Sequence, residues 1–182
     1  MSFATEFNVF HSLRDDGRRG GGISVYVANN FNVNVITSSS VSLPSVESLF
    51  LYIEGKNKSF ISGTIYKPPN VIYDVFAHDF LGILSHVDLL SNNCIICGDF
   101  NVDFLKCDND RVSQNFLNLL NLNTLSLIPL ISKPTRISTV AASLIDNFLV
   151  NFPFDVFFGI FTFDILDHFA IFAIFAMLLF LS

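Results

Sequence analysis

The run Cys97-Gly98-Asp99-Phe100-Asn101-Val102-Asp103 places two polar side chains at alternate positions just where a glycine closes an apolar stretch. If that stretch is a strand, period-two spacing puts Asp99 and Asn101 on one face, at the strand end where core gives way to cleft. A carboxylate that accepts, beside an amide that both donates and accepts, can orient a water against a phosphate oxygen. The same residue types after a strand also form Asx-turns, in which the side chain serves only the local backbone. Two other places carry groups suited to such chemistry. In Leu144-Ile145-Asp146-Asn147-Phe148 a carboxylate interrupts an apolar run and must be hydrogen-bonded or paired, because burying it alone is expensive. In Asp167-His168, flanked by Leu166 and Phe169, an imidazole has a carboxylate at hand to fix its tautomer and favour its protonated form.

These groups need elements to hold them. The start of the chain through Gly22 is polar and turn-rich, broken by Asp15-Asp16-Gly17 and Gly20-Gly21-Gly22. Ile23–Ala28 alternates as a half-buried strand does, and Phe31–Ile36 alternates again after Asn29-Asn30, so the two are expected to pair as a hairpin. Ser48–Ile53 and Phe60–Tyr66 predict a second strand pair around Gly55-Lys56-Asn57-Lys58. Lys67-Pro68-Pro69-Asn70 must then be irregular, since proline removes a ladder donor and restricts its predecessor. Phe76, Phe80, Leu84 and Val87 have the spacing of an amphipathic helix over Tyr73–Leu90. Cys94–Cys97 returns as a buried strand that stops at Gly98. A second helix fits Ser113–Leu122, with Phe116, Leu119 and Leu120 inward and Ser113 as N-cap. Ser143–Val150 and Phe169–Phe175 read as late buried strands. Strands in pairs, interrupted by two helices, point to an α/β sandwich rather than a regular βαβ series.

Composition bounds the function. The 182 residues suit one domain, 1–182, and neither a repeat nor a low-complexity linker divides them. With 51% apolar and 14% charged residues, a disordered chain is excluded. The net charge of −6 weighs against a compact basic nucleic-acid module. A site that works on phosphate through acidic residues and a metal needs only a local basic patch. Arg18, Arg19, Lys67, Lys133 and Arg136 lie beside the motifs and could contact a nucleic-acid backbone, with solvated surface charge the equal alternative. Cys94, Cys97 and Cys107 do not make a paired disulfide framework, which fits a reducing compartment. Cys94 and Cys97 would point to opposite faces of a strand, so core packing is expected rather than zinc. The sequon Asn57-Lys58-Ser59 has no companion sign of secretion, and Met1–Phe10 shows no signal peptide. Phe169–Leu181 is continuously apolar but shorter than the roughly 20 residues a spanning helix needs. A strand followed by an apolar tail over 176–182 is expected there, not a membrane anchor, and the protein is expected inside the cell, in nucleus or cytoplasm.

Taken in order, several blocks resemble a specific family. They are Arg19-Gly20-Gly21-Gly22 before Ile23–Val27, then Glu47-Ser48-Leu49, Gly63-Thr64-Ile65-Tyr66-Lys67-Pro68-Pro69 and Gly98-Asp99-Phe100-Asn101. Lys133-Pro134-Thr135-Arg136, Ile145-Asp146-Asn147 and Asp167-His168 follow. The series is similar to the endonuclease domain of non-LTR (LINE-like) retrotransposons, within the endonuclease/exonuclease/phosphatase superfamily. It implies a deoxyribonuclease I-like fold, here a partial four-layer α/β sandwich of two packed sheets flanked by helices. It also implies metal-dependent phosphodiester hydrolysis: a DNA-nicking endonuclease using Mg2+ or Mn2+, with DNA and the element's reverse transcriptase domain as partners.

At matching positions the resemblance implies that Asp99 orients or activates the attacking water and that Asn101 holds the scissile phosphate. His168 would contact that phosphate with its imidazole set by Asp146, and Asp167 would support the metal. Tyr66, Lys67, Thr135 and Arg136 would line the substrate path. The chain departs from the family in two respects. The first strands and the glutamate that is the main metal ligand are expected to be missing, which predicts impaired turnover. Leu166 stands where a small hydroxyl residue usually precedes Asp-His, and Phe152–Phe163 is more apolar than the family's loop there. The alternatives are a catalytically dead mobile-element relic and a phosphatase or phospholipase of the same superfamily.

Overall fold

The computed structural model describes residues 6–12, 22–36, 45–56, 58–87, 92–122, 126–152, 156–162 and 167–175. The chain divides into two compact units, Met1–Asn101 and Val102–Ser182.

In the first unit, β1 (Phe7–Ser12) pairs antiparallel with β2 (Ile23–Ala28). Beside them β3 (Asn32–Val35), β4 (Glu47–Glu54), β5 (Ser59–Tyr66) and β6 (Cys94–Asp99) lie in sequence order. The first three run antiparallel, and β6 runs parallel to β5. A parallel neighbour requires a crossover, and α1 (Tyr73–His86) supplies it. The apolar positions of β4 alternate in service of two layers. Leu49, Leu51 and Ile53 join Ile23 and Val27 in a core between the β1–β2 pair and the larger sheet, with Phe10, Val33 and Phe60 packed around them. Phe50, next in line, lies on the other face over Gly63, where any side chain would overlap the Phe50 ring. Phe76 and Phe80 of α1 are fully buried, and Phe80 meets Phe100 edge to face at 6.4 Å.

Several expectations are corrected here. The stretch before Gly22 is not all turn, since β1 forms within it and sends Phe10 into the core. The expected hairpin of Ile23–Ala28 with Phe31–Ile36 does not form. After the turn closed by Phe31 N donating to Ala28 O, the chain leaves one sheet for the other, so β2 pairs with β1 and β3 with β4. Strand β6 also runs past Gly98 to Asp99. At Gly98 φ is 150° and an added side chain would collide with the Ile65 carbonyl, so glycine is what lets β6 press against β5 to its end.

Among its described residues the second unit holds a short 3-10 turn (Phe104–Lys106), α2 (Arg111–Leu120) and three antiparallel strand pairs. These are β7 (Ile128–Pro129) with β10 (Asp146–Val150), β8 (Arg136–Ile137) with β9 (Ala142–Ser143), and β11 (Val156–Phe161) with β12 (Ala170–Phe175). The α2 cap is Asp110, not Ser113: its carboxylate accepts from Ser113 N and from the Ser113 hydroxyl, both at 2.8 Å. The strand expected over Ser143–Val150 is split by Leu144-Ile145. Strand β12 is exposed or half-buried along its length rather than buried, and β11, within the run read as a loop, is its partner. The apolar tail 176–182, Leu166, Arg18 and Arg19 lie outside the described residues. No helix among the described residues is long and apolar enough to cross a membrane.

Candidate functional site

Each unit carries a set of polar groups at the positions singled out above. In the first unit the register sets Glu47, Tyr66 and Asp99 in a row across β4, β5 and β6. Asp99 ends β6, and Asn101 follows with φ 44°, a left-handed turn that asparagine tolerates better than most side chains. Asp99 Oδ1 accepts from Asn101 N at 2.9 Å, which is an Asx-turn. The turn and the catalytic reading are therefore not exclusive here, because the turn fixes the carboxylate's direction. The Asn101 side-chain nitrogen donates to Lys67 O at 2.8 Å and to Asp99 Oδ2 at 3.1 Å. Both of its N–H groups are thus spent on holding the loop and the carboxylate. In this conformation Asn101 aims Asp99 rather than reaching for a phosphate.

Lys67 does not behave as a surface cation. Only 4% of it is exposed, its ammonium donates to Pro68 O at 3.3 Å, and it lies 5.9 Å from the centre of the Phe76 ring. Burial pushes its pKa below the ordinary lysine range against the opposing pull of Asp99. Cys94 and Cys97 are free thiols, Cys94 buried and Cys97 half-buried. Burial pushes the Cys94 pKa up to about 12, and Cys97 Sγ sits 3.8 Å from Thr64 Oγ1.

In the second unit the imidazole and its carboxylate meet as expected: His168 Nδ1 is 3.3 Å from Asp146 Oδ2. That leaves Nε2 as the ring's other polar atom. How the chain holds this pair was not legible from composition. Thr135 is fully buried, and its hydroxyl oxygen accepts from Ile145 N at 3.2 Å and Asp146 N at 3.1 Å. It thereby fixes the start of β10 and has no surface to offer a substrate. The segment around His168 lies along β8, with Ile137 N donating to Asp167 O at 2.9 Å and Phe169 N to Thr135 O at 2.7 Å. Arg136 Nε donates to Asp167 Oδ2 at 2.9 Å, and this pairing holds the Asp167 carboxyl below the usual range.

Asp167 was the expected metal support. Its carboxylate pairs with a guanidinium, and it belongs to no group of three His, Cys, Asp or Glu ligand atoms among the described residues. The donor set around it does not fit a divalent cation; it fits a counter-ion for Arg136.

Two residues without an assigned role turn out to hold the frame. Asp103 Oδ1 accepts from Leu105 N at 3.2 Å and Leu144 N at 3.0 Å. Its Oδ2 is buried 3.2 Å from Lys106 Nζ, close enough for an ion pair but outside hydrogen-bond geometry. Fully buried Asn147 accepts from Leu130 N and Ile131 N and donates to Ile131 O. The signals for both were present in the sequence: Asp103 continues the alternation of Asp99 and Asn101, and Asn147 sits in an apolar run.

No family model matches the chain, and no curated protein matches it in sequence. Solved structures do. The endonuclease domain of TRAS1, a telomere-specific non-LTR retrotransposon, superposes with a TM-score of 0.69 at 14% identity, covering 94% of this chain and 81% of that one. The chain has the endonuclease/exonuclease/phosphatase fold. An endonuclease/exonuclease/phosphatase family protein from Leptotrichia buccalis matches at TM-score 0.61 and 17% identity, over 93% of this chain and 70% of that chain. D. rerio TDP2, complexed with a single-strand DNA product, matches at 0.62 and 11%, over 93% and 76%. At these identities the likeness establishes the mixed α/β, deoxyribonuclease I-like fold, and the chemistry rests on the chain's own residues.

Proposed function

We propose that this protein hydrolyses phosphodiester bonds, nicking DNA in the manner of a non-LTR retrotransposon endonuclease. The observation that carries the reading is the His168–Asp146 pair, 3.3 Å apart and seated on the buried Thr135 hydroxyl. A carboxylate on Nδ1 lets the imidazolium donate through Nε2 to a phosphate oxygen or to the departing oxygen. Asp99, aimed by Asn101, orients the attacking water and accepts its proton. Tyr66, in register with Asp99, adds a hydroxyl to the substrate path. Arg136 acts through Asp167, keeping the segment that bears His168 on β8, and Thr135 positions Asp146.

Support for DNA as substrate comes from the ordered blocks of sequence and from a fold shared with the TRAS1 endonuclease domain. A reverse transcriptase domain of the same element is the partner this reading implies. A divalent cation, Mg2+ or Mn2+, enters on the resemblance to metal-dependent endonucleases. Asp167, turned to Arg136, does not fit as its holder, and the steps above belong to the chain's own side chains.

The test is conversion of supercoiled plasmid to open circles by purified protein in Mg2+, with and without a chelator, beside hydrolysis of a simple phosphomonoester. Plasmid nicking that needs the metal and falls in His168→Ala supports the reading. Turnover of the monoester alone would transfer it to the phosphatase branch of the fold.

A further inference from the structure

A lysine with 4% exposure normally owes its place to a carboxylate or to a ring of carbonyls. Among the described residues, Lys67 meets the Pro68 carbonyl and the face of Phe76. Asp99 of β6 is the charged group that acts on it, while α1 presents the Phe76 ring. Why the fold keeps a cation there follows from its main chain. Lys67 N donates to Asp99 O at 2.9 Å, and Lys67 O accepts from the Asn101 side chain at 2.8 Å. Residue 67 thus grips both members of the Asp99–Asn101 pair, and its neighbour Tyr66 is the residue in register with Asp99.

We propose that Lys67 is a positioning residue for this pair: its backbone clamps Asp99 and Asn101, and its inward ammonium offsets the repulsion between the Asp99 carboxylate and an anionic phosphodiester. The inference rests on the nuclease reading for its consequence but not for its geometry. Any residue but proline could supply the two main-chain bonds. Only a cation supplies the charge, which acts strongly because burial thins the water that would screen it. Because burial also lowers the lysine's pKa, the charge is lost at a pH below that at which surface lysines titrate.

The experiment has two arms. In the first, isotope-labelled lysine signals are followed by NMR through an alkaline titration, with the Lys67 signal assigned by its loss in Lys67→Met. Lys67 is expected to titrate below the other lysines, and lower still in Asp99→Asn, which removes the charge that holds its proton. Titration in step with the other lysines, or no response to Asp99→Asn, overturns the proposal. In the second arm, the KM for plasmid nicking is measured against pH. Wild-type KM is expected to rise about tenfold through the Lys67 titration, while Lys67→Met starts high and stays flat and Lys67→Arg is only partly restored. Parallel profiles for wild type and Lys67→Met would overturn the positioning role and leave the nuclease reading intact. If wild type does not nick at all, the nuclease reading fails, and the Asp99→Asn shift alone decides whether Lys67 is coupled to the pair. Should Lys67→Met fail to fold, Lys67→Gln supplies the same assignment and pH profile.

Discussion

His168 and Asp146 test the account most sharply at the scale of single residues. His168→Ala and Asp146→Asn are each expected to slow nicking by about 10²–10⁴-fold, the range for a lost general acid–base group or its orienting partner, with the circular dichroism spectrum unchanged. Asn147 gives the opposite signature. Replacing it with Ala strands the buried backbone N–H of Ile131, while Leu130 N keeps Phe148 O, and is expected to cost about 1–3 kcal/mol in urea unfolding, lowering activity only through stability. Cys94 supplies a pH dependence. Its folded pKa is raised, to about 12, so the stability it lends is fully present below the unfolded thiol range, near 9.0, and is lost as pH rises from there towards the folded value. Alkylation at pH 8 is therefore expected to spare Cys94 in the native protein and to label it in urea. Asp99, Asn101, Asp146 and His168 were legible in the sequence, because type, spacing and an abrupt polar residue in an apolar run are local signals. The inward turn of Lys67 and the burial of Thr135 were not, since they depend on what packs over a side chain. Nothing adjacent to Lys67 in sequence announces that the Phe76 ring will lie beneath it.

At the scale of elements, the site depends on how closely β6 approaches β5. Gly98→Ala would drive a side chain into the Ile65 carbonyl at a φ of 150°, and Gly63→Ala would strike the Phe50 ring, which can shift. The second change is expected to cost about 1–3 kcal/mol, as overpacking does, and the first more, because backbone cannot yield as a ring can. Urea midpoints of the two variants give the order directly. Strands β4 and β5 and both helices were readable from periodicity, as was the reappearance of a strand at Cys94. Pairing was not: β2 and β3 adjoin in sequence with a turn between them, yet they belong to different sheets, and alternation says nothing about partners. Strand β11 escaped because a run rich in phenylalanine carries no alternation to read. The exposed Phe157, Phe161 and Ile174 show that apolar composition did not mean burial there.

For the whole molecule, the deoxyribonuclease I-like fold follows from the ordered motifs and is matched by structures at 11–17% identity. What such a likeness leaves open is activity, which turns on a few side chains. The decisive measurement is Mg2+-dependent nicking of supercoiled plasmid by the purified chain, run beside His168→Ala at equal concentration. The account predicts that wild type produces open circles, that a chelator stops it, and that the variant is at least about 10²-fold slower. Wild type without activity, or a variant that nicks as fast, would contradict it.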